Sequence, residues 1–177
     1  FLPQLMAAAE AMYATSSGYD ASFSIISIGT PDGSEEIWSL RIPYLASFLA
    51  TETFDGTVHG LNDLQAEYVD LYGPGDYMPI IWITYWSFRW MMFFGFASMA
   101  IAVVGLWVTR EKFDTKPWMW NVAIHTATFP LWAILIGWIF TEMGRQPWIV
   151  FGLMQTADGV SPNVTGVDVL LSLVAFT

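Results

Sequence analysis

Two long apolar runs dominate the second half of the chain. Residues 79–108, PIIWITYWSFRWMMFFGFASMAIAVVGLWV, carry Arg89 as their single charge, and residues 118–140 are uncharged apart from His125, which can be neutral. Each run is longer than the ~20 residues that carry a helix across ~30 Å of hydrocarbon. The pattern predicts transmembrane helices over 79–108 and 118–142, with residues 164–177 beginning a further, truncated one. The first half is punctuated instead of continuous. An alanine-rich start over 6–15 suits a short helix, and Gly, Pro, Ser and Asp at 16–20, 29–34 and 73–79 mark loops. The fold class expected is all-α, a polytopic transmembrane helix bundle with an extracytoplasmic loop region.

Charge separates the same two halves. Residues 1–78 hold eleven of the sixteen acidic residues and one base, Arg41, so this half faces water. The connection over 109–117 carries Arg110, Lys112 and Lys116, which assigns it to the cytoplasm by the positive-inside rule. Residues 1–78 and 143–163 then lie outside. Tryptophans 82, 86, 107, 118, 120, 138 and 148 gather toward the ends of the runs, as an interfacial aromatic belt requires.

The whole composition is 55% hydrophobic and 12% charged, with mean hydropathy +0.48, too apolar for an ordinary water-soluble domain. A formal charge of -10 repels phosphate backbones, so nucleic acid is excluded as a partner. With no cysteine, thiolate metal sites, iron–sulfur clusters and disulfides are excluded too. The chain begins at Phe1 and stops inside an apolar run, and it reads as a piece of a longer membrane protein. Residues 1–13 lack a basic n-region and carry Glu10 among their alanines, so they do not read as a secretory signal.

Against so apolar a background the few charges stand out. Arg89 lies about ten residues inside the first run, where an arginine costs on the order of 3 kcal/mol unless it snorkels outward or meets an anion such as a cofactor carboxylate. Met91 is two residues on; a buried methionine is more often filler than ligand. Glu142 ends the second run at the negative pole of its helix, a poor place for a carboxylate unless a cation answers it. Arg145, three residues later, is placed to do so. Trp138 shares a face with Glu142. Met91 and Glu142 both belong to the outer half of the membrane, while His125 lies ~25 Å further inward and reads, like His59, as a non-ligating histidine.

The stretch Glu142-Met143-Gly144-Arg145-Gln146-Pro147-Trp148, preceded by Gly137-Trp138, resembles the G-W-x-x-x-E-x-G-R-Q-P-W signature of subunit I of cytochrome bd quinol oxidase. Phe88-Arg89-Trp90-Met91 is similar to that family's F-R-x-M, residues 6–11 to the start of its quinol loop in the short form, and Ile42-Pro43-Tyr44 to a later loop element. The resemblance implies that Met91 is an axial ligand of a low-spin haem b and that Glu142 ligates a high-spin haem b. Thioether ligation raises a haem potential, which suits an electron entry point. It further implies that Arg89 and Arg145 meet haem carboxylates or stabilise the reduced state, that Trp138 lines the high-spin haem pair, and that Glu10 is the quinol-site glutamate that accepts a proton. Where the family has a lysine five residues before that glutamate, this chain has Leu5. The histidine ligands of the low-spin haem and of haem d have no match here.

The implied activity is that of a terminal respiratory oxidase of the prokaryotic plasma membrane. Quinol would be oxidised outside, with electrons passing through low-spin haem b and high-spin haem b to haem d, where oxygen is reduced to water. The implied partners are a second large oxidase subunit, small accessory subunits, quinol, oxygen and the lipid bilayer; the stretch alone is not expected to be active. Two other readings remain open: a non-catalytic channel or transporter segment in which Arg89 and Glu142 line a polar path, and a haem-binding quinol dehydrogenase.

Overall fold

A computed structural model describes residues 3–30, 36–110, 116–161 and 163–176. Helix α1 spans Pro3–Ala9. It starts earlier than the alanine pattern suggests, since proline is harmless in a first turn, and stops earlier as well. The stop is a Schellman turn: the Ala11 amide donates to the Ala8 carbonyl at 3.3 Å and the Met12 amide to the Ala7 carbonyl at 2.9 Å. Ala11 takes the left-handed position with φ 48°, where glycine is usual. Glu10 is therefore the last residue before the turn.

Strand β1 (Ser16–Ser17) pairs with β4 (Thr57–Val58), and β2 (Phe23–Gly29) with β3 (Glu36–Ile42), both antiparallel. Helix α2 covers Leu45–Thr51 and helix α3 Leu61–Tyr72. The all-α expectation thus needs amending, because among the described residues there are three small two-stranded sheets. The isoleucine-rich segments FSIISIG and EIWSLRI are rich in β-branched side chains that favour an extended chain.

Helix α4, Ile81–Val108, is about 42 Å long at 1.5 Å per residue. The second run forms two helical stretches, α5 (Pro117–Thr126) and α6 (Phe129–Arg145), where one continuous helix over 118–142 was expected. The interruption at 127–128 has a cause in Pro130, which has no amide to offer the Thr126 carbonyl and whose ring crowds it. α4 and the stretch Pro117–Arg145 are each long and apolar enough to cross a membrane. The basic connection expected over 109–117 falls mostly on residues 111–115, Lys112 included, which lie outside the described residues. Beyond α6 come a cis Gln146–Pro147 peptide, the pair β5 (Trp148–Val150) and β6 (Met154–Gln155), and helix α7 (Gly166–Phe176).

The packed core lies in the polar half. Ala7 and Ala8 of α1, Leu61, Leu64 and Tyr68 of α3, Tyr77 and Trp148 form one cluster; Met12, Ala21, Ala46 and Val58 form a second. Trp148, expected at the interface, is buried with its ring stacked on Tyr77 at 5.7 Å. Burial, with Glu67 and Tyr72 nearby, pushes the Tyr68 hydroxyl up to about 12, so it stays protonated and donates to Gln4 Oε1 at 3.2 Å.

α4 and α6 run antiparallel in close contact. The register is marked by Phe88 against Phe140, rings 5.0 Å apart, and by two glycines whose missing side chains let neighbours in. A Cβ at Gly144 would collide with Leu5 of α1 and lie 3.2 Å from Thr84, while one at Gly137 would lie 2.8 Å from the Met91 sulfur.

Candidate functional site: a buried carboxylate beneath the hairpin and two ligand-type side chains on α4 and α6

The cap of α1 aims Glu10 at the junction of the β2–β3 hairpin with α4. Its carboxylate is buried, accepts the Ser24 amide at 2.9 Å and meets the Arg89 guanidinium at 3.1 Å. Ser24 stands opposite Arg41 in the ladder, and the register shift that follows it leaves Ile25 without a partner. Ser24 is also held by its hydroxyl, 2.8 Å from the Tyr85 hydroxyl on α4. Burial raises the Glu10 carboxyl above its ordinary value; Arg89, the Ser24 amide and Arg41 partly offset it.

Arg89 therefore meets the anion its position demands, and that anion belongs to the chain itself, 79 residues earlier. Its guanidinium carbon also lies 4.5 Å from the Tyr85 ring, 4.8 Å from Phe23 and 5.1 Å from Phe88, a favourable setting for a desolvated cation. Its Nε and Nη1 are buried with no hydrogen-bond partner. One side of the guanidinium is thus satisfied and the other can receive a further acceptor.

Met91, half-buried, sits two residues further along α4 with its sulfur against Gly137. Glu142 and Arg145 form the (i, i+3) pair that their spacing suggests, 3.6 Å apart and both exposed. Trp138 is 68% exposed and points away from the helix pair. Met91 and Glu142 are not brought together, and no cluster of three or more His, Cys, Asp or Glu forms among the described residues. Each presents a single donor group of a kind that binds transition metals. His125 is exposed, with Nδ1 2.7 Å from the Asn121 carbonyl oxygen.

Two features escaped sequence reasoning. Arg41 entered the sequence reading only as the one base of residues 1–78, but its guanidinium reaches the backbone of Glu10. A cleft of about 540 Å³ opens at the start of α4, lined by Ala11, Tyr13, Leu61, Trp82, Tyr85 and Trp86 among others; its lining includes Ala11, next to Glu10 in the chain, and Tyr85, but not Glu10 itself. The aromatic spacing of Trp82, Tyr85 and Trp86, on one face at the start of α4, was the available signal.

Two stretches long and apolar enough to cross a membrane, set against a small folded cap, define the class: a segment of a membrane protein. More particularly, the sequence matches the family described as cytochrome bd terminal oxidase subunit I over residues 2–177, and the chain belongs to that family. It is 43% identical, over 98% of its length, to the cytochrome bd ubiquinol oxidase subunit 1 of Bacillus subtilis (strain 168), and spans 37% of that protein. It is 25% identical over 82% of its length to the cytochrome bd-II ubiquinol oxidase subunit 1 of Escherichia coli (strain K12), spanning 40% of it. Its fold is similar to that of the bd oxidase from Geobacillus thermodenitrificans, with TM-score 0.72 and 30% identity over 98% of this chain and 38% of that one.

Proposed function

We propose that this chain is part of the haem-bearing subunit of a membrane quinol oxidase that oxidises quinol and reduces oxygen to water. The observation that carries the reading is the buried Glu10–Arg89 pair, which ties the loop region to the helix that bears Met91. In this reading residues 1–78 are the extracytoplasmic quinol loop, 79–108 and 118–142 cross the membrane within a larger bundle, 109–117 face the cytoplasm and 143–163 return outside. A second large subunit, with small accessory subunits, covers the exposed apolar faces.

The residues fit the haems that the family implies. Met91 would hold the iron of a low-spin haem b and Glu142 that of a high-spin haem b, each as a single ligand. The open side of Arg89 would take a haem carboxylate, with Arg145 and the exposed face of Trp138 beside the second haem. Bound haem supplies reversible one-electron carriage, and haem d the oxygen-reducing centre.

The chain's own residues do the proton work. The quinol head group enters the cleft lined by Tyr13, Trp82, Tyr85 and Trp86, whose rings offer it an apolar slot. Glu10 accepts a quinol proton at a carboxylate oxygen as electrons leave. Arg89 holds that carboxylate ionised and oriented beforehand, and burial beneath the hairpin keeps bulk water from competing for the proton. Leu5, where the family has lysine, packs against Gly144 and leaves Arg89 as the cation on the carboxylate.

A visible spectrum of the purified complex tests the reading: b-type and chlorin bands are expected, and a colourless preparation from haem-sufficient cells overturns it. Oxygen uptake with reduced quinol separates an oxidase from a dehydrogenase, which consumes none. Met91→Ala should remove the low-spin signal and Glu142→Ala should alter the high-spin one; unchanged spectra in both defeat the ligand assignments.

A further inference from the structure

We propose that Arg41 is a positioning residue for the proton-accepting carboxylate: its guanidinium fixes the direction in which the capped end of α1 presents Glu10. This rests on the reading of Glu10 as the quinol-site base.

The end of α1 is an improbable place to hold a side chain still. Ala11 occupies a left-handed conformation that an alanine adopts at a cost of about 1 kcal/mol, and the carbonyls of Glu10 and Ala11 point out of the turn with no helical amide to meet them. Arg41 meets both, with Nη1 3.2 Å from the Glu10 carbonyl and Nη2 2.8 Å from that of Ala11. Nη1 also reaches the Ser22 carbonyl at 3.3 Å, just before β2. The guanidinium is fixed from behind by Glu36 at 2.9 Å and by the Ser39 hydroxyl at 3.1 Å. One planar fork thus joins the α1 cap, the entry to β2 and its own strand.

Register gives this clamp its purpose. Arg41 lies directly across the ladder from Ser24, whose amide binds the Glu10 carboxylate. A single cross-strand pair therefore holds Glu10 at both ends, Ser24 at the carboxylate and Arg41 at the backbone. Arg89 binds the carboxylate from α4 and does not share this role. Lysine cannot replace the fork: its ammonium is a point charge, while the guanidinium spans three carbonyls in one plane.

The charged groups facing Glu10 are Arg89 from α4 and Arg41 from β3, with Glu36 behind Arg41 and Tyr85 behind Ser24. On α6, which also packs on α1, Glu142 and Arg145 are exposed and paired with each other. Removing the charge of Arg41 disfavours the Glu10 anion, so more of it is protonated at a given pH. The acid limb of quinol oxidation then moves to higher pH.

The test is steady-state oxygen uptake by the assembled oxidase containing this chain, supplied with a short-chain ubiquinol or the matching menaquinol, for the parent, Arg41→Gln and Arg41→Lys. Turnover is taken per haem. Arg41→Gln should lower kcat about tenfold, within the range that misplacing a catalytic group produces, with KM changing less and the acid limb shifted upward. Arg41→Lys keeps the charge and loses the fork, so it should lower kcat several-fold with the limb unmoved, and it decides the matter if the glutamine variant does not assemble. Parent-like turnover per haem in the variants overturns the role of Arg41 while leaving the oxidase reading intact. A parent complex that takes up no oxygen with either quinol overturns the oxidase reading itself.

Discussion

The residues before Pro79 and the helices after it bury different kinds of atoms. In the first region polar groups go inside: Gln4, Glu10, Ser22, Ser24, Ser27 and Ser47 are all buried, with Glu10, Ser24, Ser27 and Ser47 hydrogen-bonded and Gln4 accepting from Tyr68 through Oε1 while its Nε2 has no partner. In the second, α5 and α7 bury nothing and α6 buries only Gly144, while Leu106, Trp107, Ile134 and Val174 stand exposed. The cap folds on itself as a soluble domain does. The helices keep their apolar surface for lipid or for other helices, where burial against a neighbour brings no hydrophobic gain. α4 belongs to both regimes, because Thr84, Tyr85 and Ser87 near its start are buried under the cap and its later turns are not.

The contrast can be broken most sharply at its seam. Glu10→Ala leaves the Arg89 cation buried without its anion, which should cost about 3–5 kcal/mol, read as earlier thermal unfolding of the complex. An unchanged melting temperature would mean that the seam is not held electrostatically. Next comes Gly144→Val, which forces a side chain into Leu5 and Thr84 and should cost about 1–3 kcal/mol. Adding Leu5→Ala should recover part of that loss if the clash is the cause.

The two carboxylates flanking Arg41 sharpen the picture through pH. Glu10 titrates above its unfolded value in the folded chain, so the native state binds the extra proton and stability falls as pH rises through the window above about 4.5. Glu36, also raised by burial but more strongly lowered by Arg41, Ser39 and Ser27, titrates below it; its contribution is lost as pH falls through the window beneath about 4.5. Glu10→Gln should flatten the upper slope and Glu36→Gln the lower one in melts across pH. Smallest of all is Glu142→Gln, which breaks an exposed ion pair worth under about 1 kcal/mol and, on the proposed ligand role, should also alter the haem spectrum. A large loss of stability there would place Glu142 in the fold and not at its surface.

The long elements were legible because composition alone dictates them: thirty residues with one charge have few fates. The Glu142–Arg145 pair was legible too, being set by helix spacing. What the sequence hides is contact across the cap. That Arg89 would meet Glu10 depends on α1 ending at a left-handed alanine and on where the hairpin lies, neither of which leaves a periodic trace. The hairpin itself was obscured because Ile25, Ile26 and Ile28 are exposed on β2, so the apolar alternation that announces a half-buried strand is absent. Arg41 was visible as the single base of its half, but its role depends on register.

Gly137 shows how an absence can set a tolerance. The Met91 sulfur occupies the clearance this glycine leaves, and a methyl group there would meet the flexible end of a side chain that can swing aside. The helices would stay together and the melting curve would report nothing. The thioether alone would be displaced, so the position with no chemistry of its own acts as the gauge that sets where the neighbouring sulfur can reach.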